Sequence, residues 1–99
     1  MNVSSTFKLN NGNEIPVIAL GSWDSRGDEA YQACLDALSA GYRHIDTAAY
    51  YENESLVGAA VRDCEIPREE IFVASKLWYE AMVEGKQEAA FEKTFKELG

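Results

Sequence analysis

A strand-and-helix pattern recurs along this 99-residue chain at a fixed spacing and leaves few folds open. Segments typical of β-strands begin at Val17, His44 and Ile71, each 27 residues after the one before. The continuous apolar run at 17–20 predicts a strand buried on both faces, as in a parallel sheet. A period of this length fits a repeated βα unit. The spacing predicts an α/β fold, either an open doubly wound sheet or part of a (β/α)8 barrel.

An amphipathic helix is predicted after each strand, and a hairpin before the first. Apolar residues over 30–38 recur at helical spacing, and Gly41 is placed to end that helix. Asn53 is placed to cap a second helix, and a third is predicted to begin within 83–86. The hairpin pairs Thr6–Leu9 with Glu14-Ile15 around the Asn-Asn-Gly-Asn turn at 10–13, since Asn-Gly is a strong hairpin signal.

Composition excludes several classes of function. The net charge of -8, with nine scattered basic residues, argues against a nucleic-acid partner and against an anionic membrane surface. No apolar run reaches the roughly 18 residues of a membrane span, and no secretory signal precedes the hairpin. Cys34 and Cys64 do not form a disulfide framework, so a cytoplasmic location is expected. With His44 as the single histidine, no metal site is expected.

The length sets a limit on the fold. A (β/α)8 barrel takes about 250 residues, so this chain would supply the hairpin and the first three βα units and lack about five. Residues 1–99 are therefore expected to form a single partial domain. Both edges of its sheet would be unpaired, which favours association with another chain or with the rest of a barrel.

Three polar side chains are expected at the carboxyl ends of the strands, where parallel α/β folds place their functional groups. These are Asp46, Tyr51 and Lys76. An ammonium near a phenol favours the phenolate, and a carboxylate holds the ammonium in place, so the trio suits proton donation. The alternative is a half-buried tyrosine beside a structural ion pair, and spacing alone favours that interpretation.

Several motifs in register resemble the aldo-keto reductase family over nearly the whole chain. The strongest match is the second-strand signature, Gly41 to Ala48 followed by Tyr51, Asn53-Glu54 and Val57-Gly58. The hairpin, the segment Leu20-Gly21-Ser22-Trp23, the third-strand segment Pro67–Trp78 and the helix Ala90–Gly99 are also similar to family segments.

The resemblance implies a (β/α)8 barrel that reduces aldehydes and ketones with NADPH. It implies that Tyr51 is the general acid and that Lys76 and Asp46 are its partners. It further implies two sets of binding residues: Ser22, Trp23 and Asp46 for the nicotinamide end of the cofactor, and Trp23, Tyr50 and Trp78 for a small-molecule carbonyl substrate.

Two features of the family pattern are missing from these 99 residues: the catalytic histidine and the contacts to the adenosine end of the cofactor. The family's catalytic histidine follows a fourth strand, whereas His44 lies in the second and is expected to be a satisfied core histidine. The family's contacts to the adenosine end come from later strands. Two alternatives therefore stay open: an inactive, self-associating partial barrel, and a nucleotide-sensing regulatory subunit.

Overall fold

An antiparallel hairpin is followed by a parallel sheet with helices packed against it, in a computed structural model that describes residues 1–99. The strands are β1 (Thr6–Lys8), β2 (Glu14–Pro16), β3 (Leu20–Gly21), β4 (His44–Asp46) and β5 (Phe72–Ala74). The helices are α1 (Asp28–Ser39), α2 (Glu54–Asp63), α3 (Tyr79–Val83) and α4 (Gln87–Leu98). Single 3-10 turns occupy Ala49–Tyr51 and Arg68–Glu70.

The parallel sheet has the strand order β3-β4-β5, so each βα unit adds its strand beside the previous one. Leu20 lies beside Ile45, and Ile45 lies beside Val73. The carboxyl ends of all three strands consequently meet at one edge of the sheet. The predicted α/β order and the predicted hairpin are both present.

The first strand of this sheet is shorter than the sequence predicts. The run from Val17 was expected to be a sheet strand, but the amide of Val17 donates to the carbonyl oxygen of Ser5 at 3.0 Å and so extends the hairpin. The sheet strand begins only at Leu20. The predicted strand is present, but it begins three residues later than expected, because Val17 pairs with the hairpin.

Of the three helix ends predicted from the sequence, one agrees with the structure and two differ from it. Gly41 has φ 107°, and it and Tyr42 donate to the last turn of α1, which is the expected glycine-terminated helix end. Asn53 directly precedes α2, but its side chain makes no capping hydrogen bond. The last helix was predicted to begin within 83–86. Instead the chain forms α3, turns at Gly85 with φ 70°, and begins α4 at Gln87.

The core lies between the sheet and helices α1 and α2. It is formed by apolar residues of both helices together with Ile45 of β4 and Ile71 just before β5, namely Cys34, Leu38, Ile45, Val57, Ala60, Val61 and Ile71. On α4, Phe91 and Phe95 remain 54% and 64% exposed. They line a groove of about 490 Å³ beside the open edge of β5. The apolar side predicted for this helix therefore exists but is largely uncovered.

His44 is only half satisfied. Its Nδ1 donates to the carbonyl oxygen of Pro16 at 3.1 Å, and its ring packs edge-on against Phe72. The Nε2 atom is buried and has no hydrogen-bond partner. The expectation of a satisfied core histidine therefore holds for one ring nitrogen and fails for the other.

Candidate functional site

The carboxyl edge of the sheet brings Asp46 and Lys76 into direct contact, with Tyr51 beside them. Lys76 Nζ donates to Asp46 Oδ1 at 3.0 Å and to the carbonyl oxygen of Thr47 at 2.9 Å. The same nitrogen lies 5.3 Å from the centroid of the Tyr51 ring, within cation–π range. The three residues come from the end of β4, the turn that follows it and the segment just after β5, so the neighbouring strands produce their proximity.

The backbone explains why Tyr51 lies next to Lys76. The chain leaves β4 through a 3-10 turn in which the amide of Tyr51 donates to Ala48, and the turn closes with Glu52 at φ 57°. The amide of Ala49 donates to the carbonyl oxygen of Lys76 at 3.1 Å. This bond ties the turn that carries the phenol to the segment that carries the ammonium.

The surroundings of Lys76 keep it charged. Partial desolvation lowers the pKa of Lys76, but its hydrogen bond to Asp46, the charge of Asp46 and the neighbouring Tyr51 outweigh that effect and raise it overall. About half of each side chain of the Lys76–Asp46 pair is exposed. The charged groups therefore stand at an accessible rim and can meet a small molecule.

Of the three aromatic residues expected at the substrate pocket, the structure brings two together. Tyr50 and Trp78 stack with ring centroids 4.1 Å apart and an angle of 17° between the planes. Trp23, in the loop after β3, is 66% exposed and forms no aromatic pair. The Tyr50–Trp78 stack offers one flat aromatic surface beside Tyr51, while Trp23 stands apart from it.

A buried polar cluster lies directly beneath the rim. Ser22 is 2% exposed, and its hydroxyl lies 2.8 Å from the Thr47 hydroxyl and 3.3 Å from Asn53 Oδ1. The amide nitrogen of Asn53 donates to the carbonyl oxygens of Ser22 and Ser25 at 2.6 and 2.9 Å. The side chain of Ser22 thus points into the protein, and Asn53 ties the loop after β3 to the turn after β4.

The sequence predicts that Asn53 caps α2 and predicts no role for Glu54. In the structure Asn53 precedes α2, but its side chain binds the loop after β3. Both residues are almost fully buried, at 1% and 4% exposure. The available signal was a pair of polar residues directly before the apolar stripe of α2. Polar groups at such a position are buried only when they find partners.

With this geometry in place, comparison with known proteins identifies the family. The aldo/keto reductase family model matches residues 17–99. Glycerol 2-dehydrogenase (NADP(+)) of Saccharomyces cerevisiae is 53% identical over 93 residues, which cover 94% of this chain and 29% of that protein. The chain belongs to the aldo/keto reductase family.

Solved structures show the same relationship. An aldo-keto reductase from a Medee basin deep-sea metagenome library superposes with a TM-score of 0.89 at 50% identity, covering 94% of this chain and 34% of that one. A Bombyx mori aldo-keto reductase in complex with NADP gives 0.84 at 38% identity, covering 100% and 36%. These neighbours are (β/α)8 barrels, and the chain corresponds to about a third of such a barrel.

None of the helices combines the length and apolar character that crossing a bilayer requires.

Proposed function

We propose that the whole protein to which these residues belong reduces aldehydes and ketones to alcohols with NADPH, with Tyr51 as the general acid. The observation that carries this proposal is the meeting of Lys76, Asp46 and Tyr51 at the carboxyl edge of the sheet. The names of related proteins, a glycerol 2-dehydrogenase (NADP(+)) and an aldehyde reductase from yeast, support it.

The proposed chemistry divides the work among the three side chains. The nicotinamide, when bound, supplies hydride to the carbonyl carbon. Negative charge then develops on the carbonyl oxygen, and the Tyr51 hydroxyl donates a proton to it, which favours the transition state selectively. The Lys76 ammonium, beside the Tyr51 ring, stabilises the charge left on the phenolic oxygen. Asp46 keeps that ammonium charged and in place.

We propose that the residues at the rim bind the nicotinamide end of the cofactor and not its adenosine end. We propose that Trp23 and Asp46 contact this end and that the Tyr50–Trp78 stack walls the substrate, since flat aromatic surfaces suit apolar carbonyl compounds. Ser22 is buried, and its hydroxyl, amide and carbonyl groups all have hydrogen-bond partners within the protein, so it would shape this end of the site without contacting the cofactor.

The test compares two adjacent tyrosines. In the full-length protein, NADPH oxidation by an aromatic aldehyde should proceed for the wild type and for Tyr50→Phe, which retains the ring that stacks on Trp78. Tyr51→Phe should lower kcat by about 100-fold or more, because it removes the proton donor. Equal rates for Tyr51→Phe and the wild type would remove Tyr51 from this role. An inactive wild type that binds NADPH would instead favour a nucleotide-sensing subunit.

For residues 1–99 on their own we propose no turnover and association through the open edge of β5. Phe91 and Phe95 stand exposed beside that edge, and unpaired strand edges recruit other chains. Size-exclusion chromatography of the isolated segment should therefore show a species larger than a monomer. We also propose a cytoplasmic location, in keeping with the free thiols of Cys34 and Cys64.

A further inference from the structure

We propose that Glu54 is a positioning residue that aims Lys76 at Asp46 by anchoring Ser75, the residue directly before Lys76. The inference rests on the proposed reductase function for its kinetic consequences. Its structural part, the placement of the Lys76 ammonium, can be measured without any activity.

The carboxylate of Glu54 is buried without a cation. The residue is 4% exposed, and the ion pairs of the chain are Arg26–Asp24, Lys76–Asp46 and Lys86–Glu84, none of which includes it. A buried carboxylate requires hydrogen-bond donors in place of water. Two hydroxyl groups supply them, one to each carboxylate oxygen.

The two hydroxyl groups come from different elements. Ser75 Oγ, just beyond β5, donates to Glu54 Oε2 at 2.5 Å, and Thr94 Oγ1 of α4 donates to Glu54 Oε1 at 2.9 Å. Hydrogen bonds to a charged acceptor are shorter and stronger than neutral ones. One carboxylate at the start of α2 thus holds both the end of β5 and the middle of α4.

The Lys76–Asp46 pair benefits from such an anchor, because the bonds of Lys76 Nζ to Asp46 and to the Thr47 carbonyl oxygen hold only the tip of a long side chain. Its side chains are 50% and 44% exposed, and an exposed ion pair contributes little toward holding a long, flexible lysine in one orientation. The direction of the ammonium therefore depends on where the backbone of residues 75 and 76 is held. Ser75 is held by Glu54, and the carbonyl oxygen of Lys76 is held by the amide of Ala49.

These contacts link the segment that carries Tyr51 to the segment that carries Lys76 at two points. The amide of Ala49, at the start of the turn that ends with Tyr51, donates to the Lys76 carbonyl oxygen. Glu54, three residues after Tyr51, accepts from Ser75, the residue before Lys76. Loosening the Glu54–Ser75 contact should move the ammonium relative to both Asp46 and the phenol. Loosening the Glu54–Thr94 contact should affect only how α4 is attached.

The experiment therefore compares the two hydroxyl donors on the same carboxylate. In the full-length protein, Ser75→Ala and Glu54→Gln should lower kcat about ten- to a hundredfold, the scale expected for a misplaced catalytic group, and should change the pH dependence of kcat. Thr94→Val removes the other hydroxyl and should keep kcat within about twofold of the wild type. Ser75→Thr retains a hydroxyl and should restore most of the rate.

A second readout follows the Lys76 ammonium itself. In protein with ¹³C-labelled lysine, Lys76→Arg identifies the resonance, and its pH titration reports the Lys76 pKa, which contact with Asp46 holds above the ordinary value. Ser75→Ala and Glu54→Gln should bring this pKa back toward that of an exposed lysine, whereas Thr94→Val should not.

The outcomes separate the two proposals. An inactive wild type whose Lys76 pKa falls in Ser75→Ala would refute the reductase function and support the anchor. An active wild type would refute the anchor if Ser75→Ala and Thr94→Val had equal effects, or if both readouts were unchanged. If Ser75→Ala does not fold, the milder Glu54→Gln and Ser75→Thr variants decide by the same two readouts.

Discussion

Gly58 lies where helices α2 and α4 approach most closely, and adding a single methyl group there should destabilise the protein. A Cβ atom at this position would lie 2.1 Å from the carbonyl oxygen of Glu97 and 2.9 Å from Cα of Leu98. Both are backbone atoms, so no side-chain rotation relieves the clash. The shorter distance falls more than 1 Å below a normal contact of about 3.5 Å. Helix α4 would have to move away from α2, taking Leu98 off the core.

The magnitude follows from two opposing effects. Replacing a helical glycine by alanine ordinarily stabilises by about 1 kcal/mol, whereas overpacking against a rigid neighbour costs about 1–3 kcal/mol or more. Because the clash is with backbone, Gly58→Ala should lower the free energy of unfolding by about 1–2 kcal/mol net. Urea unfolding followed by circular dichroism measures this change. Ser55→Ala, at an exposed position of the same helix, is the control and should change it by less than about 0.5 kcal/mol. Unchanged or increased stability of Gly58→Ala would refute the close packing of α2 and α4.

Two further predictions concern buried groups. Asn53→Ala should cost about 2–4 kcal/mol in urea unfolding, since it removes the amide donor to the carbonyl oxygens of Ser22 and Ser25 and the acceptor of the buried Thr47 hydroxyl; a loss under about 1 kcal/mol would show that the cluster does not hold the loops together. Burial raises the pKa of the Cys34 thiol to about 11 from 9.0, so the stability from burying the neutral thiol is present below pH 9 and is lost as the pH rises through 11. The stability difference between the wild type and Cys34→Ala should therefore shrink by about 2–3 kcal/mol over that range, at about 1.4 kcal/mol for each pH unit, and a constant difference would contradict it.

The sequence predicts those parts of the fold that depend on local periodicity. The apolar stripe of α1 and the glycine that ends it are set by residues close together in the chain, and both appear as expected. The strand predicted over 17–20 begins only at Leu20, because the Val17 amide pairs with Ser5. An apolar run does not reveal which distant strand its amides will pair with. The last helix is present but begins at Gln87, just after the predicted range 83–86, because Gly85 separates it from α3, which the sequence does not predict.

For the candidate site, the sequence locates the charged rim but not the support beneath it. Strand adjacency suffices to bring Lys76 near Asp46, since Asp46 ends β4 and Lys76 lies two residues beyond the end of the neighbouring parallel strand β5. Apart from Thr47, the partners of Asn53 and Glu54 lie 21 to 40 residues away along the chain. Side-chain contacts of that separation depend on how the helices pack on the sheet, and no local pattern encodes them.

The proposed reductase chemistry requires Tyr51 and Lys76 to act as one unit, and a double-mutant cycle on hydride transfer tests this requirement most directly. Single-turnover NADPH oxidation is measured for the full-length wild type, Tyr51→Phe, Lys76→Met and the double variant. Groups that work together give non-additive losses. The double variant should be hardly slower than the slower single variant. Losses that multiply would show that the phenol and the ammonium act independently and would contradict the shared site.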